Sequence, residues 1–280
     1  MQPFHETRTY GGGLRLVAVR SSGMEFLAHW QEDVEVFFVA EGEQRIGIQG
    51  RILALGPGQL VLLGSGEIHH YEPSAGCVGF MLIFPRDLSP DWTFPLESGL
   101  HTFRDPDRIR TIAGWMAAMA DEMASRRPGY ALVADGTLRL FLAALVRPDP
   151  ARETEPLPDP GRTADPRMQE ILDYLATHYP EPLDRDAVAR RFHWSPSHFS
   201  RRFRDATNLA FSEHLARLRL EHACRALRQT RTPVSDIALD CGFDSVRTFN
   251  RAFRRHLGTC PSAIREDGTG ARGDPARPFP

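Results

Sequence analysis

The stretch Phe199-Ser200-Arg201-Arg202-Phe203-Arg204 returns fifty positions later as Phe249-Asn250-Arg251-Ala252-Phe253-Arg254. In each copy two phenylalanines stand four apart, so both fall on one helix face, and arginines occupy the turns between them. Each copy follows another short helical pattern and a corner: Ala187-Val188-Ala189 before His193, then Ile237-Ala238-Leu239 before Gly242. A helix, corner, helix pattern repeated at a fixed offset is an internal duplication. It suits a helix-turn-helix unit, whose first helix packs while its second turns basic and small polar groups outward.

Outside the repeat the chain changes character. At 280 residues it is long enough for two domains, and its 41% apolar content supplies two ordinary cores. No run of about 18 apolar residues occurs and the N-terminus lacks a signal-peptide pattern, so a soluble cytoplasmic protein with no membrane partner is expected. The four cysteines share no metal-like spacing, and Cys224 and Cys241 read as buried thiols. The net charge of -2 conceals an asymmetry. Residues 166–265 carry 17 arginines against 11 acids, whereas residues 1–147 carry 13 against 17. The positive excess therefore sits on the repeat, where a polyanionic partner would need it.

From Leu14 to Phe84, short apolar runs such as Val34-Glu35-Val36-Phe37-Phe38-Val39 and Leu60-Val61-Leu62-Leu63 are punctuated by glycine, as in a small antiparallel barrel or sandwich. On the strand after Ile68, Tyr71 shares the inward face with His69 and His70 points away. Ile109, Ile112, Met116, Met119 and Met123 then recur at helical steps, with Asp105 as cap and Pro106 in the first turn. A second helix is expected from Leu132 to Val146; the two helices cover the barrel, or one of them packs against its counterpart in a second subunit, or both. Residues 148–166, with six prolines and no apolar stripe, read as a semi-extended linker.

In the repeat half, Asp184 caps the first helix and Ser195-Pro196 starts the second. Phe199 and Phe203 turn inward while Ser197, Ser200, Arg201 and Arg204 turn out. A helix from Ser212 to Arg228 links the units, and about 25 Å of it would hold two reading helices about one DNA turn apart. Ser235 is the expected cap of the second unit, and Gly242 suits its left-handed corner. His193 at the matching place predicts a slightly different turn. Arg247, Thr248, Asn250, Arg251 and Arg254 face out, where arginine can read guanine bidentately.

The run Gly242-Phe243-Asp244-Ser245, the second repeat copy and Gly258-Thr259-Cys260-Pro261-Ser262 resemble the signature of AraC-type (AraC/XylS) transcriptional regulators, and residues 29–35 and 57–69 resemble the two motifs of the cupin fold. The resemblance implies an α+β chain of two domains. Residues 1–147 form a cupin-like β-barrel with two flanking helices that binds an effector and dimerises, and 148–166 form the linker. Residues 167–265 form an all-α domain of two helix-turn-helix units joined by a linker helix, and 266–280 an unstructured tail. It further implies a sequence-specific regulator whose partners are double-stranded DNA, a small-molecule effector, a second copy of the chain and, for activation, RNA polymerase. By position Ser197, Ser200, Arg201, Arg247, Thr248 and Arg251 match residues that reach base edges. His29, Glu35, His69 and Tyr71 would line the effector site in the barrel mouth. Metal-binding cupins carry a histidine where this chain has Gln31, so no metal, cofactor or catalytic residue is expected. The alternative is a metal-dependent cupin enzyme fused to a DNA-binding domain, with His29, Glu35 and His69 as ligands.

Overall fold

The computed structural model describes residues 14–48, 50–74, 76–86, 98–157 and 165–268, with side chains as far as residue 265. Among these, the N-terminal half contributes β1 (Val17–Ser21), β2 (Phe26–His29), β3 (Val34–Glu41), β4 (Gln44–Ile48), β5 (Arg51–Leu55), β6 (Gln59–Leu63), β7 (His69–Glu72), β8 (Val78–Phe84) and β9 (Gly99–Phe103). The helices α1 (Pro106–Ser125) and α2 (Tyr130–Val146) follow, then β10 (Arg152–Pro156). All pairings are antiparallel, in a six-stranded sheet ordered β1-β8-β3-β6-β9-β10 and a four-stranded sheet ordered β2-β7-β4-β5.

Strand alternation explains the layering. On β3, Val36 and Phe38 pack with α1 and α2, whereas Phe37 and Val39 pack with the smaller sheet, so the strand is apolar on both faces. The helices thus cover one side of the larger sheet and the smaller sheet covers the other. Asp105 accepts from the Asp107 N–H and Pro106 opens α1, as expected; α2 starts at Tyr130, two residues earlier than its apolar pattern shows.

Part of the expected linker belongs to this domain. Residues 152–156 form β10 and pair with β9 from Arg152 to Phe103 through Pro156 to Gly99. An edge strand is hydrogen-bonded on one side only, which tolerates its exposed acids and a terminal proline.

The C-terminal half comprises α3 (Pro166–His178), α4 (Arg185–Arg191), α5 (Pro196–Thr207), α6 (Phe211–Gln229), α7 (Val234–Asp240), α8 (Val246–Leu257) and α9 (Pro261–Gly268). The last of these runs past the expected boundary at 265, because no helix breaker follows Pro261 until Gly268. Of the expected tail, residues 269–280 lie outside the described residues. Pro233, not Ser235, holds the cap position of α7, and Ser235 instead bonds Asp236 inside the first turn. Phe199, Phe203, Phe249 and Phe253 are fully buried. Burial pushes the Cys224 thiol up to about 12 and the Cys241 thiol to about 11, so both stay protonated packing groups. Among the described residues no helix is long and apolar enough to cross a membrane.

Candidate nucleic-acid interface and ligand cavity

The two copies of the repeat form α5 and α8, and their N-termini are built alike. The Ser195 hydroxyl accepts from the His198 N–H at 3.4 Å, and the Ser245 hydroxyl accepts from the Thr248 N–H at 3.2 Å. The preceding corners are also alike, contrary to the difference expected from His193. His193 has φ 57° and Gly242 has φ 84°; the Trp194 N–H reaches the Ala189 carbonyl at 2.9 Å, and Phe243 reaches Ala238 at 3.1 Å. Histidine is among the residues that enter the left-handed region most readily after glycine, so one geometry serves both units.

Arg201, Arg204, Arg247, Arg251 and Arg254 are exposed, as is Ser197, while Ser200, Thr248 and Asn250 are half-buried. Ser200 donates to the Pro196 carbonyl at 2.8 Å, and the Thr248 and Ser245 hydroxyls lie 3.0 Å apart. Arg247, Asn250, Arg251 and Arg254 share one shallow concavity on α8. Among the described residues none of these five arginines is in a salt bridge. Other arginines of the same domain are engaged internally. Arg202 meets Asp165 at 2.8 Å, tying α5 to the cap of α3, and Arg219 donates to the carbonyls of Tyr179 and Glu181 at 2.8 and 2.7 Å. Arg201 Nη2 lies 3.5 Å from His198 Nδ1, and with no carboxylate among the described residues holding them in salt bridges the outward guanidiniums are available to another molecule.

A single helix carries both units. Phe211, Leu215 and Leu218 of α6 lie in the core with Phe199 and Phe203, whereas Leu220, Ala223, Cys224 and Leu227 lie in the core with Phe249 and Phe253. Its 19 residues span about 28 Å.

In the N-terminal domain, the residues expected at an effector site meet between the two sheets. Tyr71 donates to Glu35 Oε1, Gln31 Nε2 donates to Glu35 Oε2 at 2.8 Å, and His69 Nε2 lies 3.5 Å from the same oxygen. The His29 and His69 rings are 4.3 Å apart, and each Nδ1 faces a backbone carbonyl, Leu27 at 2.8 Å and Glu67 at 2.9 Å. Burial pushes the Glu35 carboxyl up, but the nearby His69 and His29 and the hydrogen bonds from His69 and Tyr71 outweigh it and hold it at about 2. Burial pushes His69 down, and Glu35 with Glu67 more than restores it, leaving the imidazole above its ordinary value. Donor atoms of His29, Glu35 and His69 lie within 4.8 Å of one another and could hold a divalent ion. Each Glu35 oxygen already accepts one hydrogen bond and keeps a second lone pair, so an ion would share the carboxylate with Tyr71 and Gln31.

The outer face of the smaller sheet is covered by the helical domain. His70 does point away from Tyr71, yet it is only 6% exposed. Ala28 and Ile68 join the core of the first unit, and Asn208 donates to Glu72 at 3.1 Å. Arg217 lies 3.5 Å from Glu25, and Gln169 donates to the Gly66 carbonyl at 2.6 Å. Between the domains is a cavity of about 330 Å³. Of the four expected effector residues, Tyr71 contributes to its wall and His29, Glu35 and His69 do not. Sequence reading missed His70, Glu25, Arg217 and Leu209 at this place, because they come from separate segments with no shared spacing.

Comparison with known proteins agrees with this division. Residues 11–142 match the model of the AraC-like ligand binding domain, and residues 188–267 match a helix-turn-helix domain. Over 98 residues the chain is 36% identical to regulatory protein SoxS of Salmonella typhimurium, covering 35% of this chain and 92% of SoxS. It belongs to the AraC-type family of transcription regulators. The right origin-binding protein of Escherichia coli is 37% identical over 98 residues; these are 35% of this chain but only 34% of that protein. The DNA-binding domain of AdpA, solved with a target DNA, is 34% identical, with 37% of this chain and 93% of that chain covered and a TM-score of 0.36. As an AraC-type regulator, the chain combines a DNA-binding helical domain with a ligand-binding β-domain.

Proposed function

We propose that α5 and α8 enter successive major grooves of one promoter duplex in the cytoplasm, under control of a small-molecule effector and as part of a homodimer. Ser197, Ser200, Arg201, Arg204, Arg247, Thr248, Asn250, Arg251 and Arg254 face the DNA. The observation that carries this reading is the pair of equivalently capped helices, both rooted in α6, whose outward arginines form no salt bridge among the described residues. Arginines near each helix N-terminus reach base edges, and the remainder neutralise phosphates.

The second copy of the chain docks on α2. Leu132, Val133 and Leu140 lie within about 100° of one another around the helix and are 81%, 50% and 58% exposed. Gly136 sits between them with open space beside it, which lets another helix approach closely.

Binding to a selected DNA site, measured against salt for wild type and for variants at Arg201 and Arg251, tests the groove reading. A steep negative slope of log K on log salt, with altered base preference at separate positions for the two variants, is expected. A shallow slope with unchanged preference refutes it. Sedimentation of Leu140→Glu tests the dimer, which should fall to monomer.

A second reading, divalent-metal binding with a cupin-type chemistry, is favoured by the convergence of His29, Glu35 and His69. Stoichiometric iron, manganese or zinc in purified protein supports it, and metal-free protein with full DNA binding counts against it.

A further inference from the structure

The cavity between the domains has an unusual set of walls. One side is β2 and β7. The other includes Asn208 at the C-terminal cap of α5, Leu220 of the linking helix and Leu257 at the end of α8. An occupant would therefore touch the ends of both reading helices and the ligand-binding domain at once.

Its chemistry narrows what can bind. Phe26, Leu27, Leu209, Leu220 and Leu257 give it an apolar surface. The charged groups in the wall cancel: Glu72 pairs with Arg45 at 3.0 Å and Glu25 lies 3.5 Å from Arg217. An ion entering here finds no excess counter-charge and must give up hydration, which disfavours charged ligands. His70 is different. Its ring stacks where a side chain on Gly47 would stand, and both its nitrogens are closed to solvent and lack a hydrogen-bond partner among the described residues, so a ligand would meet them through a small turn of the ring toward the cavity. A buried polar group left in this state gains from any ligand that supplies the missing bond. The volume is near the lower end of small-molecule sites, which run from about 300 to 1,000 Å³, and suits on the order of ten to fifteen non-hydrogen atoms.

We propose that this cavity is the effector site, and that the effector is an uncharged, largely apolar molecule of about two rings with one hydroxyl or carbonyl group bonded to His70. The proposal rests on the effector control put forward above and gives it a place and a ligand class. Binding there would set how the ends of α5 and α8 sit against the β-domain, and so shift the equilibrium between arrangements that differ in DNA affinity.

Titration of the full chain with 2-naphthol and with 2-naphthoate tests it. Saturable binding of 2-naphthol is expected, at least tenfold tighter than 2-naphthoate. Leu209→Trp and Leu27→Trp, which fill the cavity from opposite domains, should each abolish binding, and His70→Phe should weaken it about tenfold. Slowed amide exchange at residues 207–209 and 256–258 on binding would place the ligand. Absence of saturable 2-naphthol binding, equal or tighter binding of 2-naphthoate, or wild-type affinity in both folded tryptophan variants overturns the proposal. DNA binding is measured separately. Intact DNA binding without naphthol binding removes the site alone, whereas naphthol binding without DNA binding keeps the site and removes the promoter reading.

Discussion

Alanine at Gly242 would test the corner on which the second helix-turn-helix unit depends. The residue has φ 84°, and a Cβ added there would lie 2.6 Å from the Pro180 carbonyl oxygen, 2.8 Å from the Pro180 Cα and 2.8 Å from the Tyr179 carbonyl oxygen. All three are backbone atoms and cannot step aside as a side-chain tip could. Left-handed strain contributes about 1–2 kcal/mol, and overpacking against backbone about 1–3 kcal/mol. The stiffer unfolded chain offsets about 0.4–1 kcal/mol, so Gly242→Ala should lose roughly 1–5 kcal/mol. His193→Gly is the control. It relieves strain at an exposed position while loosening the unfolded chain, and should stay within about 1 kcal/mol of wild type. Urea unfolding followed by far-ultraviolet circular dichroism measures both. A Gly242→Ala protein within 0.5 kcal/mol (about the scatter of a neutral surface change) would refute the reasoning. So would an equal loss in His193→Gly.

Three further outcomes are expected. Arg251→Ala should lose about 1–3 kcal/mol of discrimination at one base position in a binding-site selection; an unchanged selected sequence would remove its bidentate role. Phe253→Ala should cost about 3–5 kcal/mol, because its ring is fully buried 5.2 Å from that of Phe249, and a native melting midpoint would show that core to be slack. Burial, then His70 and Arg217, lower His214 to about 3, so the folded state keeps it neutral while the unfolded chain protonates near the ordinary value of 6.5. The unfolded state then holds more protons between those values, and His214's contribution should fall as pH drops from about 6.5 toward 3, by roughly 3–5 kcal/mol, beside the losses of His70, His101 and His222, which are each lowered to about 4. His214→Leu should flatten that part of the curve of urea midpoint against pH; an unchanged slope assigns the acid sensitivity elsewhere.

The sequence announced most strongly what is local. Ser195-Pro196, Asp184 and Asp105 cap the helices they precede, because a cap needs only a side-chain oxygen and the next three amides. The phenylalanine pairs turned inward for a similarly short-range reason. What escaped reading depended on remote partners. Residues 152–156 have no strand pattern of their own, and β9 supplies their order. Strand alternation sent His70 outward correctly but could not say that another domain would cover it. The arginines were the hardest to sort: Arg201 and Arg202 are neighbours in a basic run, yet only Arg202 is claimed by Asp165, which lies 37 positions earlier. The cavity draws on so many segments that no spacing could have collected it.

Because α6 is embedded in the cores of both units, neither reading head can slide relative to the other without breaking a core. With α5 and α8 both on one duplex, as proposed, the protein would measure promoters with a fixed gauge. One base pair inserted between the two sub-sites would turn the second by about 35° and carry it about 3.4 Å away, and α6, a single continuous helix, offers no hinge to follow it. Operators for this regulator should vary in sequence more freely than in spacing.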